Sequence, residues 1–153
     1  MIIRKANDRD LEQLRSLYRE LDEDAVRFQP EHFIMSNRTD EYLLNLIHGV
    51  NTDILVAEQG NDMIGFSLLF LQNSKNISCL KPQSNLYIGD LVVTKKSRSQ
   101  GVGAKLMEAS KEYGKEHGTE FIRTQVFPQN EDAIRFYERN GFTEMMKTIE
   151  CQF

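Results

Sequence analysis

With 153 residues, 40% hydrophobic and 27% charged, the chain can bury one substantial core and has the composition of an ordinary globular domain. A formal net charge of −4 argues against broad binding along a nucleic-acid backbone. Its opening residues lack the apolar run of a signal peptide, and no stretch is apolar enough to span a membrane, so a cytoplasmic protein is expected.

Cys79 and Cys151 lie far apart, and His32, His48 and His117 are scattered. Neither a disulfide framework nor a metal centre is expected, which leaves an enzyme or a binding module with reduced thiols. No linker, repeat or low-complexity tract interrupts residues 1–153, so one domain is expected.

In chain order, "IIRKA" reads as a short strand, and Asn7 or Asp8 can cap the helix behind it. Leu11, Leu14, Leu17, Tyr18 and Leu21 recur at helical spacing there. "RFQPEHF" predicts a second, short helix near Pro30, and Thr39 can cap a third segment with Tyr42, Leu43, Leu46 and Ile47 on one side. "DILVAEQ" and "MIGFSLLFLQ" flank "GND" and predict a hairpin. The polar segment around Pro82 is a loop, and "LYIGDLVV" a strand whose Gly89 suggests a bulge. A helix is expected from about Gly101 towards His117, then the strand "EFIRTQVF", ended by Pro128. Asn130 caps the helix "EDAIRFYERN", and Gly141 can end it in the left-handed conformation. Short strands through Phe142 and Ile149 finish the chain. This alternation predicts a layered α/β domain with hairpins mixed into its sheet.

The chemistry concentrates in "SRSQGVGAKL". A P-loop needs Lys followed by Ser or Thr after its last glycine, whereas Lys105 is followed by Leu106. A dinucleotide fingerprint needs GxGxxG directly behind its strand, whereas Leu106 holds the third glycine position and residues 94–100 intervene. The pattern Arg98-x-x-Gly101-x-Gly103 fits a third reading. Backbone N–H groups at a helix start, flexed by the glycines, can close on a pyrophosphate, with Arg98 adding a charged donor.

Together, "LYIGDLVV", "RSQGVG" and "NEDAIRFYERNGF" resemble the GNAT superfamily of acyl-CoA-dependent N-acyltransferases, most strongly over residues 86–142. "IIRKANDRDLEQL" resembles the family's opening strand and helix less specifically. The resemblance implies a mixed, mostly antiparallel sheet with helices on both faces. It implies acetyl-CoA held by Leu91, Val92 and Val93 on the strand, by Arg98, Ser99, Gln100, Gly101, Val102, Gly103 and Ala104 at the turn, and by Asn130. Alone, Asn130 reads as a helix cap and Tyr137 as a core aromatic. The chain departs from the family's habit with Lys95 where proline is frequent and Ser99 where glycine is. Neither change removes a backbone N–H from the turn.

The implied reaction is attack of a primary amine, on a small molecule or a peptide, upon the acetyl thioester. Freeing a lysine-like amine of its proton at neutral pH takes roughly 4–5 kcal/mol. Asp90 is the best-placed carboxylate to accept that proton, directly or through water, although the family often uses a longer Glu near this strand. A backbone N–H near Leu91 or Val92 can stabilise the oxyanion. The resemblance gives Tyr137 to the departing thiolate. A phenol near pKa 10 is a weaker acid than a thiol near 8.5, so Tyr137 acts as a hydrogen-bond donor.

The acceptor would lie between the early helices and the far end of the sheet. Glu20, Asp22, Glu23 and Asp24 either draw in a cationic amine or form a solvated helix end. His32 reads as a surface residue. The resemblance allows a homodimer, but no residue pattern requires one. The competing reading is a non-catalytic acyl-CoA sensor, which needs the glycine turn but neither Tyr137 nor Asp90.

Overall fold

Asn7 sets the start of the first helix. Its side chain accepts from the Arg9 N–H at 3.0 Å, and Asp10 accepts from the Asn7 N–H at 2.8 Å, a reciprocal cap over one 3-10 turn. Helix α1 (Leu11–Phe28) follows and buries Leu14, Leu17 and Tyr18 along one side. This computed structural model describes residues 1–153.

The five strands β1 (Ile2–Lys5), β2 (Thr52–Gln59), β3 (Asp62–Asn73), β4 (Ser84–Val93) and β5 (Phe121–Thr124) lie side by side in chain order. All neighbours are antiparallel except β4 and β5, which are parallel. The expected mixed, mostly antiparallel sheet is present, and the hairpin turns at Gly60, whose φ of 65° favours glycine.

Strand alternation sends Ile54 and Val56 to one face and Leu55 and Ala57 to the other. The first face packs on α1 and α2 (Asp40–Ile47) around Tyr18, Leu43 and Phe66. The second packs on α3 (Val102–Glu116) and α4 (Glu131–Arg139) around Leu86, Leu106 and Met107. Each fully buried Leu or Phe contributes about 1.5–3 kcal/mol. Arg4 ties β1 to the cap of α1, donating to both oxygens of Asp10 at 2.7 and 2.9 Å. That guanidinium holds the Asp10 carboxyl below its ordinary range, against the upward push of burial.

Three expectations fail. No separate helix forms near Pro30. Instead α1 runs on through Phe28 and ends at Gln29, the residue before the proline, where helical geometry is disfavoured. Strand β5 is shorter than read, ending at Thr124, whose hydroxyl donates to the Ile88 carbonyl at 3.0 Å. Finally, no strand forms through Phe142 or Ile149. Both have strand-like patterns, but neither pairs with a neighbouring strand, and β5 keeps its outer edge unpaired.

Candidate active site

A bulge places Asp90. Leu68 stands opposite Asp90 while Leu69 stands opposite Ile88, so Gly89 is the extra residue in β4. The insertion inverts the alternation. Leu86 and Ile88 point to the α3 face, whereas Val92 joins the α1 face, as does Asp90 opposite Leu68. Glycine suits the bulge, since a Cβ on residue 89 would lie 2.6 Å from Cε2 of Phe70 and force that ring to shift.

On the α1 face the Tyr18 hydroxyl donates to Asp90 at 3.3 Å. Burial pushes the Asp90 carboxyl above its ordinary pKa, only partly offset by this hydrogen bond and by Arg38. Arg38 stacks on Tyr18 with its guanidinium 4.6 Å from the ring centre and pairs with both oxygens of Asp22. Burial raises the Tyr42 phenol above its ordinary value, and the nearby Asp90 charge raises it further. Tyr18, Arg38 and Tyr42 escaped the sequence reading because, at helical spacing or beside a loop, they resemble core or surface residues.

Beyond Ile88 and Thr124 the sheet opens. The β4–β5 ladder covers Asn85 to Ile88, so residues 89–93 have no neighbour on the β5 side. The Thr94 N–H bonds Ile64 of β3, and alternation therefore turns the amides of Leu91 and Val93 away from β3, into the opening. Val92 turns its own amide towards β3 and its side chain into the α1-side core. Of the two amides considered for an oxyanion, Leu91 is the one that faces the opening.

Tyr137 reaches the same region from α4, between Phe136 and Phe142. Burial raises its phenol above the ordinary value, as does the charge of Asp90, while a hydrogen bond with Thr124 lowers it. Asn130 does cap α4, accepting from the Ala133 N–H at 3.2 Å.

At the glycine turn, none of the amides of residues 98–104 donates to an acceptor of the chain. They run from the turn into the first residues of α3, where the helix dipole favours anions. Gly101 has φ 80° and Ser99 φ 60°, so Ser99 occupies the left-handed region that the glycine frequent there in the family would enter without strain. A Cβ at Gly103 would lie 3.4 Å from Phe136, an ordinary contact.

The acids of α1 do not form a free solvated end, because each is paired within the chain. Glu20 accepts from the Thr94 hydroxyl at 2.7 Å and the Lys95 N–H at 2.8 Å. Glu23 pairs with Lys95, and Asp24 with Arg98 at 2.9 Å. Arg98 also donates to the Val93 carbonyl at 3.1 Å. These contacts fasten the segment leading into the glycine turn to α1. His32 pairs with Glu150 at the surface. No group of His, Cys, Asp and Glu side chains is assembled that could hold a metal ion, and no helix is long and apolar enough to cross a membrane.

Residues 11–142 match the Acetyltransferase (GNAT) family. The chain belongs to this family. It is 31% identical over 91 residues to an uncharacterized N-acetyltransferase, YhfO, of Bacillus subtilis, a match over 60% of this chain and 58% of that protein. It is 27% identical over 154 residues to the thialysine N-epsilon-acetyltransferase of Sus scrofa, covering 95% of this chain and 85% of that enzyme. A mutant of the BH1408 protein from Bacillus halodurans superposes with a TM-score of 0.95 at 25% identity, covering 100% of this chain and 99% of that one. The aminoglycoside N-acetyltransferase AAC(6')-Iy, solved with CoA, shares the fold at a TM-score of 0.74 and 18% identity, over 99% of this chain and 93% of that chain.

Proposed function

We propose that this GNAT protein transfers the acetyl group of acetyl-CoA directly to a primary amine of a small molecule or peptide. The observation that carries the reading is the opening between β4 and β5, with Asp90 and Tyr137 beside it and the unpaired amides of residues 98–104 at one end. Those amides and the start of α3 suit a pyrophosphate. The amides of Leu91 and Val93 suit the extended, amide-bearing arm of the cosubstrate. The thioester supplies the activated acyl carbon.

Asp90, made more basic by burial, takes the proton of the ammonium directly or through water, and the freed nitrogen attacks the carbonyl carbon. The Leu91 N–H donates to the oxygen that becomes negative. As the carbon–sulfur bond breaks, the Tyr137 hydroxyl donates to the thiolate. Its raised pKa makes full proton transfer unfavourable, so the second proton, shed by the nitrogen as the amide forms, reaches the thiolate through water. Arg98 spends Nη2 on Asp24 and Nε on the Val93 carbonyl, which leaves Nη1 for a phosphate. The name of the Sus scrofa relative favours a small amine acceptor over a protein one.

Calorimetry with CoA tests the turn. Gly103→Val should fold, because the site admits a Cβ, yet bind CoA more weakly; unchanged affinity in a folded variant removes this placement. Thiol release over a panel of amino acids, polyamines, aminoglycosides and peptides tests the reaction, and CoA binding with no turnover would favour the sensor.

A further inference from the structure

Arg38 lies outside every helix and strand, in the segment that links α1 to α2. Its guanidinium caps one side of Tyr18, and Phe66 packs on the same ring with centres 4.8 Å apart. Arg38 Nη2 donates to Asp22 at 2.8 Å and Nη1 to the second oxygen of that carboxylate. The Ser36 N–H donates to it as well, at 3.2 Å. Asp22 is only 7% exposed. Apolar side chains in place of such a buried pair are often no less stable, so stability alone does not account for it.

The neighbour of this pair is Asp90. The ring that Arg38 caps carries the hydroxyl that donates to Asp90, and Asp22 follows Tyr18 by one helical turn of α1. The groups that face Asp90 are Tyr18 and Asp22 from α1, Arg38 from the linking segment, Tyr42 from α2, Tyr87 from β4 and Tyr137 from α4. Among them Arg38 is the one cation and Asp22 the one other carboxylate. Arg38 favours the ionised form of Asp90 by its charge and by polarising the Tyr18 O–H, whereas Asp22 favours the neutral acid. Arg38 is the stronger of the two.

We propose that Arg38 and Asp22 are positioning residues that act on Asp90 in opposite senses, Arg38 keeping it anionic and Asp22 keeping it basic. The step they govern moves one proton from the acceptor ammonium to an Asp90 oxygen, leaving a neutral amine and an uncharged Asp90. That consequence rests on the proposed function, whereas the action on Asp90 does not.

The test titrates the Asp90 carboxyl by carboxyl-carbon NMR in the full chain without substrate, its signal identified by its loss in Asp90→Asn. The midpoint should rise in Arg38→Gln, fall in Asp22→Asn and stay near the wild-type value in Arg38→Lys. A purely structural pair would shift Arg38→Gln and Asp22→Asn the same way, because each breaks the same contact. The double variant Arg38→Gln, Asp22→Asn leaves no unpaired buried charge. It should titrate above Asp22→Asn, since the two differ only at Arg38, and it decides the outcome if Arg38→Gln does not fold. Unmoved midpoints, shifts of one sign in both single variants, or a double variant at or below Asp22→Asn overturn the proposal. The acid limb of kcat, on the best acceptor of the amine panel, should move with these midpoints. Midpoints that shift as expected beside a fixed acid limb would uphold the action on Asp90 and remove Asp90 as the base, so the two readings fail separately.

Discussion

The Tyr18 hydroxyl donates to the Asp90 carboxylate at 3.3 Å and so joins α1 to the bulged end of β4. This one hydrogen bond sits on a carboxylate that burial makes unusually basic. Stability and reactivity therefore oppose each other at Asp90. A carboxyl whose folded pKa exceeds its unfolded one contributes stability fully at low pH, and loses it as pH rises through the folded value. Asp90→Asn retains an oxygen for Tyr18 but removes the charge. Its melting temperature at neutral pH should exceed that of wild type, while kcat falls by about 10²–10⁴-fold. In wild type, kcat should decline on the acid side at a pH above the ordinary aspartate range. An activity unchanged in Asp90→Asn removes it as the base.

Glu20 accepts two hydrogen bonds from the start of the loop between β4 and α3, and so holds the approach to the glycine turn. Losing them costs about 1–2 kcal/mol, and Glu20→Ala should raise the KM for acetyl-CoA by about 5–30-fold with little change in kcat. Glu20→Gln keeps an acceptor oxygen and should recover part of the loss. Steady-state kinetics with acetyl-CoA as the varied substrate decides it. An equal KM in wild type and Glu20→Ala would show that the loop orders itself.

Ser99 holds a φ of 60°, where glycine is unstrained. Ser99→Gly relieves about 1–2 kcal/mol of left-handed strain and gives back part of it through a more flexible unfolded chain. A net gain of about 0.5–1 kcal/mol is expected from urea unfolding. A loss of stability would mean that the serine side chain contributes more than its backbone costs.

Much of this architecture is legible in the sequence, because its signals are local. Asn7, Thr39 and Asn130 cap helices as their types suggest, and Gly89 marks the bulge. What escapes is set by distant partners. The run Glu20, Asp22, Glu23, Asp24 looks solvated until the fold brings Thr94, Lys95, Arg98 and Arg38 against it. Tyr18 looks like one more core residue of α1 until the bulge turns Asp90 towards it. The sequence pattern of residues 143–153 reads as strand, but whether a strand forms depends on a neighbour outside the segment.

Single-turnover acetyl transfer by Tyr137→Phe, with its melting temperature taken alongside, tests the assignment of this cleft to acyl transfer most directly. The substitution keeps the ring between Phe136 and Phe142 and removes only the donor. The expected result is a rate about 10²–10³-fold lower, with CoA affinity nearly unchanged and the melting temperature lowered only by the loss of the Thr124 hydrogen bond, about 0.5–1.5 kcal/mol. A wild-type rate would contradict the account, and so would a rate lost only together with the fold.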